Sequence, residues 1–234
     1  MYNDWMPNNS FEIRICESCG LRYPLLEGHP FGTRCPVCMG NTHSILSRKL
    51  VAAPEAEPKN EVDGMKAEKE MRIAVLLDNI RSAWNVGSIL RSADGFGFCH
   101  AYLCGITPTP DHEAVTKTSL GAEDSVRWSY HKDAVRLVRS LKNEGWRVLG
   151  LEEAPRAIDL RGAPNVIQES QDTLLIVGNE VTGVDPELLD LCDELLYIPM
   201  RGQKKSFNVA IAFGIAAYAL TTQKLESSKI KRPS

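Results

Sequence analysis

An α/β fold, with a mainly parallel sheet covered by helices on both faces and a small metal-stapled module ahead of it, is what this 234-residue chain predicts. Three observations predict it. Beyond residue 72, short apolar runs alternate with helix-length segments. Two of those runs, 174–177 and 195–198, break into polar loops that carry glycine. Near the N-terminus, Cys16, Cys19, Cys35 and Cys38 form a C-x2-C-x15-C-x2-C pattern, inside the spacing range for zinc.

The elements follow in order. Residues 73–77 read as a strand, and 86–93 as a helix opened by Asn85, a good N-cap type. A short strand at 101–104 precedes a helix at 132–143, whose apolar positions are Ala134, Val135, Leu137, Val138 and Leu141. Another strand is expected at 146–151. The runs 174–177 and 195–198 flank a helix at 186–191, where Pro186 suits the first turn. The last helix, 209–220, is rich in small residues. Glycine and small polar side chains in loops at strand ends are where open α/β sheets place ligands. The loops concerned are Gly178-Asn179-Glu180 with Gly183, and Pro199-Met200-Arg201-Gly202 leading to Ser206-Phe207-Asn208.

Composition narrows the class. A hydrophobic content of 43% is ordinary for a folded protein. No run reaches the ~20 apolar residues that span a membrane, and MYNDWMPNNSFE lacks a signal-peptide pattern, so cytoplasm is the expected compartment. Net charge is −3, with mildly basic ends and an acidic middle, so any nucleic-acid contact must use local patches. The stretch 51–70 is rich in Pro, Glu and Lys and reads as a flexible linker. It divides a module at 10–50 from a domain at 71–223, which a basic tail at 224–234 follows.

Paired cysteines two residues apart can bind one tetrahedral metal, and Gly20 or Gly40 lets the chain turn around it. Two disulfides compete with that reading but are disfavoured in a reducing compartment. A module with so few apolar residues needs a staple, so a structural zinc held by Cys16, Cys19, Cys35 and Cys38 is expected. Four thiolates close the metal shell, which leaves His29 and His43 as surface residues. Arg14, Arg22, Arg34, Arg48 and Lys49 could meet phosphate. Tyr23 either stacks on an unpaired base or builds the module's small core, and core is the preferred reading for Phe31. Cys99, Cys104 and Cys192 lie in apolar contexts and are expected to be buried.

The order of the pieces resembles the SpoU/TrmH family of RNA 2′-O-ribose methyltransferases, of the knotted SPOUT class. Its three motifs read here as Asn85-Val86-Gly87-Ser88-Ile89-Leu90-Arg91-Ser92-Ala93, then Ile176-Val177-Gly178-Asn179-Glu180 running to Tyr197-Ile198-Pro199-Met200, then Ser206-Phe207-Asn208-Val209-Ala210. Lys117-Thr118-Ser119-Leu120-Gly121-Ala122 is a weaker fourth match. The resemblance covers roughly 72–221. Phe207 departs from the family's usual Leu, which reshapes an apolar wall without removing a reactive group.

The resemblance implies a C-terminal trefoil knot, a homodimer, and methyl transfer from S-adenosylmethionine to a ribose 2′-hydroxyl of structured RNA, tRNA favoured over rRNA. It gives Arg91 a central catalytic place and fills the other polar positions with Asn85, Glu180, Ser206 and Asn208. Gly178, Ile198 and Phe207 match cofactor-holding positions, and Leu151 and Met200 are added as adenine and methionine walls. Arg91, Arg201, Lys204 and Lys205 are the RNA-binding candidates, with the tail residues Lys229, Lys231 and Arg232. Plainer duties stand beside these roles. Asn85 and Asn208 could cap loops, Ser206 could cap the final helix, and Glu180 could either orient Arg91 or shape its loop. A guanidinium hardly gives up its proton, so Arg91 is read as a phosphate clamp and not as a free base.

Two other functions compete with this one. A non-catalytic RNA-binding protein retaining the fold would be expected to have lost part of the polar set, which is intact. A dinucleotide oxidoreductase needs G-x-G-x-x-G after the first strand, and Gly95-Phe96-Gly97 comes only after the first helix.

Overall fold

The computed structural model describes residues 10–26, 29, 33–49, 71–162, 171–203 and 206–227, with side chains as far as 222. Two compact units divide the chain, Met1–Met65 and Lys66–Ser234. The linker-like stretch 51–70 and the tail from 228 onward lie outside the described residues.

The first unit is a three-stranded antiparallel sheet of β1 (Ser10–Cys16), β2 (Arg22–Leu26) and β3 (Thr42–Lys49), in the order β2-β1-β3. A register shift between Ile13 and Arg14 bends β1 against β3. Cys16 and Cys35 are its buried hydrophobic residues among those described. Apolar burial therefore does little to hold this sheet together.

The second unit is built on apolar runs that are buried on both faces, the signature of parallel strands covered by helices. Its strands are β4 (Ile73–Asp78), β5 (His100–Cys104), β6 (Arg127–His131), β7 (Arg147–Leu151), β8 (Ile158–Asp159), β9 (Thr173–Val177) and β10 (Glu194–Tyr197). They lie in the order β6-β5-β4-β9-β7-β10-β8, and every pairing is parallel. Along β4 the side chains alternate. Ile73, Val75 and Leu77 enter one core, and Ala74 and Leu76 enter the other. The first core contains Val86, Ile89 and Leu90 of α1 (Ala83–Gly95) with Phe213, Ala216 and Ala217 of α6 (Val209–Ser227). The second contains Val138 and Leu141 of α4 (Ala134–Asn143) with Leu188 of α5 (Pro186–Leu191). No helix among the described residues is long and apolar enough to cross a membrane.

Several expectations need correction. Helix α1 starts three residues early, capped by Ser82, whose Oγ accepts the Asn85 N–H at 3.3 Å. Ser and Asn are comparable caps, and the earlier start leaves the Asn85 side chain free for other duty. Strand β6 and the short helices α2 (Glu113–Ser119) and α3 (Ala122–Ser125) were not anticipated. β6 is an edge strand reading RWSYH, and an edge needs no continuous apolar run. The KTSLGA stretch forms the joint between α2 and α3, with Leu120 and Gly121 in the left-handed region at φ 53° and 91°. Cys104 and Cys192 are buried as expected, but Cys99 is exposed. It sits one residue before β5, where its N–H already serves the Ile73 carbonyl at 2.8 Å. In α6, Ala216 and Ala217 point into the chain's own core, and the outward residues are Ile211, Ile215 and Tyr218.

Close packing of α1 on α2 depends on Gly87, where a Cβ would overlap Thr118 Oγ1 and the Val115 carbonyl. Thr118 Oγ1 cannot easily retreat, since it donates to the Ala114 carbonyl at 2.8 Å. Gly87→Ala is expected to destabilise the second unit by about 1–3 kcal/mol through overpacking. Urea unfolding followed by tryptophan fluorescence measures this, and an unshifted midpoint would show that the two helices can separate freely.

Candidate functional site

At the carboxyl ends of β4, β7, β9 and β10, polar side chains bind one loop to the next. β4 ends in Asp78, which is buried. Its Oδ2 accepts the Asp185 N–H at 2.9 Å, and its Oδ1 accepts Asn79 Nδ2 at 2.7 Å. Burial pushes the Asp78 carboxyl pKa up, against the pull of these two donors. Asn79 turns the chain at φ 54°, a conformation Asn tolerates better than most residues. Its carbonyl accepts Asn179 Nδ2 at 2.6 Å.

The loop after β9 closes on itself. Asn179 and Gly183 exchange backbone hydrogen bonds of 3.0 Å, and Asn179 Oδ1 accepts the Val181 and Thr182 N–H groups. Gly178 is required here because a Cβ would run into the backbone of Gly183 and Val184.

Glu180, on this loop, accepts the N–H groups of Arg81 at 3.0 Å and Ser82 at 3.2 Å, and Asn85 Nδ2 at 2.9 Å. Asn85 Oδ1 in turn accepts Asn208 Nδ2 at 3.0 Å, and Asn208 Oδ1 accepts the Ala210 N–H at 3.0 Å. A carboxylate can only accept and a helix N–H can only donate, so these two ends dictate the orientation of both amides. Partial burial works against the charged form of Glu180. The N–H of Arg81 and the other donors outweigh it and hold the carboxyl below its ordinary range.

Against these loops lies a cavity of about 510 Å³, within the usual size of small-molecule sites. All five cofactor candidates, Leu151, Gly178, Ile198, Met200 and Phe207, line it, and so do Glu180, Ser206 and Asn208. Asn85 stands behind the wall, joined to Glu180 and Asn208. Glu180 shapes the loops and does not pair with Arg91, and the cap of α6 is Asn208, not Ser206. Arg91 is exposed and is absent from the cavity wall. Six helical residues separate it from Asn85, which turns it about 120° away around the axis. Arg201 is exposed, while Lys204, Lys205, Lys229, Lys231 and Arg232 fall outside the described residues. Glu152 and Asp78 belong to this framework without any signal in the sequence, and Asn179, legible there only as a loop and motif residue, does too. Their importance comes from partners 32 to 107 residues away along the chain.

In the first unit the four cysteine sulfurs lie within 4.8 Å of one another. Cys16 and Cys38 Sγ are 3.4 Å apart, and Cys19 and Cys35 Sγ are 3.7 Å apart. None of the seven cysteines is in a disulfide, and the four clustered sulfurs stand far beyond the ~2.05 Å of an S–S bond. A tetrahedral metal with 2.3 Å bonds to sulfur needs edges of about 3.8 Å, which this cluster nearly matches. The N–H groups of Cys19 and Ser18 point at Cys16 Sγ from 3.4 Å and, the former foremost, lower that thiol to about 6, favouring a thiolate ligand. A Cβ on Gly40 would strike Ser18 Oγ at 2.5 Å, so glycine is needed where the two knuckles meet. His43 turns away to Glu17, and His29 is exposed. Tyr23 is structural: its hydroxyl donates to the Arg34 carbonyl at 3.1 Å. Arg14 is likewise engaged, with Thr42 and Glu12. Phe31 lies outside the described residues.

A family model described as the SpoU rRNA Methylase family matches residues 72–218. A tRNA (guanosine(18)-2′-O)-methyltransferase of Aquifex aeolicus is 27% identical over 81% of this chain and 83% of its own length. A 23S rRNA (guanosine-2′-O-)-methyltransferase of Xanthomonas axonopodis is 28% identical over 74% of this chain and 68% of its own. Among solved structures, the A. aeolicus TrmH/SpoU tRNA modifying enzyme superposes with a TM-score of 0.60 at 27% identity, covering 70% of this chain and 83% of that one. An AdoMet-bound rRNA methyltransferase from Sinorhizobium meliloti gives 0.61 at 26% identity, over 68% of this chain. This chain spans only 58% of that structure.

The hydrogen-bond chain through Asn85 is directly testable. Asn85→Asp is nearly isosteric but sets a second carboxylate against Glu180. At pH 8 it should cost about 1–2 kcal/mol in urea unfolding, and the loss should shrink towards pH 5 as the pair takes up a proton. In the parent protein the Glu180 contribution, from a carboxyl depressed in the folded state, is fully present above the ordinary Glu range near ~4.3. It is lost as pH falls through the lower folded value. Equal stability of Asn85→Asp and parent at pH 8 would show that the amide chain is not holding the loops.

Proposed function

The chain belongs to the SpoU rRNA Methylase family, and from that premise we propose that it methylates a ribose 2′-hydroxyl of structured RNA with S-adenosylmethionine, tRNA ahead of rRNA. The observation that carries this reading is the single cavity that gathers Gly178, Ile198, Phe207, Leu151 and Met200 beside Glu180, Ser206 and Asn208. The RNA class is supported by relatives named for tRNA and for 23S rRNA, and the cofactor by the AdoMet-bound neighbour. S-adenosylmethionine supplies an electrophilic methyl on a sulfonium whose departure leaves a neutral thioether.

The protein's task is then orientation. Holding the attacking oxygen in line can lower the barrier by ~7–11 kcal/mol. The loops tied by Glu180, Asn85 and Asn208 shape a fixed slot for the cofactor, and the exposed Ser206 faces the side from which RNA arrives. Arg91 clamps the phosphate beside the target ribose through its planar fork and stabilises the oxygen as its proton leaves to phosphate or water.

Arg91 projects away from its own cavity, which favours a homodimer in which it serves the partner's. The exposed stripe Ile211, Ile215 and Tyr218 on α6, at 55%, 37% and 60% exposure, suits such an interface. The trefoil knot is proposed from the family. The path of the chain supports it: β10 lies between β7 and β8, and the following helix packs with α1 beyond the middle of the sheet. The first unit is proposed as a structural zinc ribbon that grips RNA through exposed Arg22, Arg48 and Lys49.

Arg91→Ala should lower single-turnover methylation of tRNA transcripts by about 10²–10³-fold without changing cofactor affinity. Arg91→Lys should recover little of that. A near-normal Lys variant would sink the fork geometry. Mixing Arg91→Ala with Glu180→Ala chains should restore part of the activity if Arg91 works in trans, and no restoration would confine it to its own chain. Methylation assays with rRNA fragments beside tRNA test the substrate order. For the ribbon, metal analysis should find one zinc per chain, and Cys19→Ser should lose it. A full equivalent retained by that variant would overturn the four-thiolate site.

A further inference from the structure

Among the described residues, the cavity wall carries charge of one sign. Glu152, Glu153 and Glu180 line it, and no Lys, Arg or His is among its described lining residues. The three carboxylates are not equivalent. Glu180 directs its oxygens at Arg81, Ser82 and Asn85, and Glu153 is exposed, where water screens it. Glu152 is half-buried and fixed from both sides. Its N–H donates to the Leu196 carbonyl at 2.9 Å, which ties its backbone to β10. Its Oε2 accepts the Val184 N–H at 3.0 Å, across the mouth of the loop from Gly178 to Gly183. At Gly183, φ is +74° and a Cβ would stand 2.5 Å from that oxygen, so glycine is what admits the carboxylate. The other oxygen, Oε1, meets only the N–H of the adjoining Glu153, at 3.3 Å, among the described residues.

We propose that Glu152 is the specificity-determining charge that makes this cavity prefer the sulfonium form of the cofactor to the thioether left after transfer. The inference rests on the reading that S-adenosylmethionine fills this cavity. In the reaction a lone pair of the ribose 2′-oxygen takes the methyl carbon, the carbon–sulfur electron pair stays on sulfur, and the 2′-hydroxyl proton departs. Donor and product therefore differ by one methyl and one positive charge. A carboxylate fixed in the partly desolvated wall of that cavity acts on the charge. It helps draw in the methyl donor, and its attraction is lost once sulfur becomes neutral, which hastens product release.

Calorimetry on the full chain with three probes tests this. S-adenosylmethionine and sinefungin, whose carbon-borne ammonium replaces the methylsulfonium, should both bind roughly tenfold tighter than S-adenosylhomocysteine. Glu152→Gln keeps an oxygen for the Val184 N–H and removes the charge. It should weaken both cationic ligands and leave the neutral one within about twofold, bringing the ratio near one. Glu152→Asp, which keeps the charge but shortens the reach to Val184, should preserve the preference. A ratio unchanged in Glu152→Gln, or equal weakening of all three ligands, would overturn the inference and reduce Glu152 to a loop anchor. Failure of the parent protein to bind any of the three would instead remove the methyl-transfer reading itself, and this inference with it.

Discussion

One carboxylate, that of Glu180, decides how three loops meet. It accepts two backbone N–H groups at the start of α1 and the amide of Asn85, and Asn85 passes the polarity on to Asn208 at the head of α6. Every link has a fixed direction because the two ends have no choice of role. The loops after β9 and β10 are thereby locked to the one after β4, which lies 95 and 123 residues away at the linking bonds. Without that lock the cavity beside them would have walls of independent mobility.

The lock works because the strands beneath it are in register. β9 pairs with β4 on one side and β7 on the other, with Leu77, Val177 and Leu151 at corresponding positions. Parallel pairing brings all these strand ends to the same edge of the sheet, where open α/β folds bind ligands. Cores on both faces then make the platform stiff. At this edge the chain adopts tight conformations: Asn79 at positive φ, Gly178 against the backbone of Val184, and Gly183 against Glu152. These close approaches bring backbone and carboxylate within reach of a ligand that a more open loop would leave in solvent.

The first unit follows a different logic. Its sheet buries few apolar side chains, and its order converges on four sulfurs, of which those of Cys16 and Cys35 face backbone N–H groups. These donors lower the Cys16 and Cys35 thiols, which suits the cluster to a cation, and cation binding there would be linked to the folding of this unit. The two units thus differ in what they gather, apolar side chains in one and four sulfurs in the other.

The sequence by itself determined the alternating architecture, the metal-type cysteine spacing and the glycine-bearing loops that border the cavity. These rest on local signals: apolar runs of strand length, C-x2-C pairs, and glycines in polar loops at strand ends. Tertiary structure decided what each polar residue does there. Asn85 resembled a helix cap until Ser82 took that place and left the amide to bridge Glu180 and Asn208. Strand β6 was hidden because RWSYH, at the sheet edge, carries no apolar run. Glu152 had no signal, since its meaning lies in the Val184 N–H 32 residues on. Arg91 was legible as a motif residue, but its direction around α1 was not. The spacing of a motif fixes positions along the chain, whereas the face a side chain presents is set by which residues on that helix are buried against the sheet.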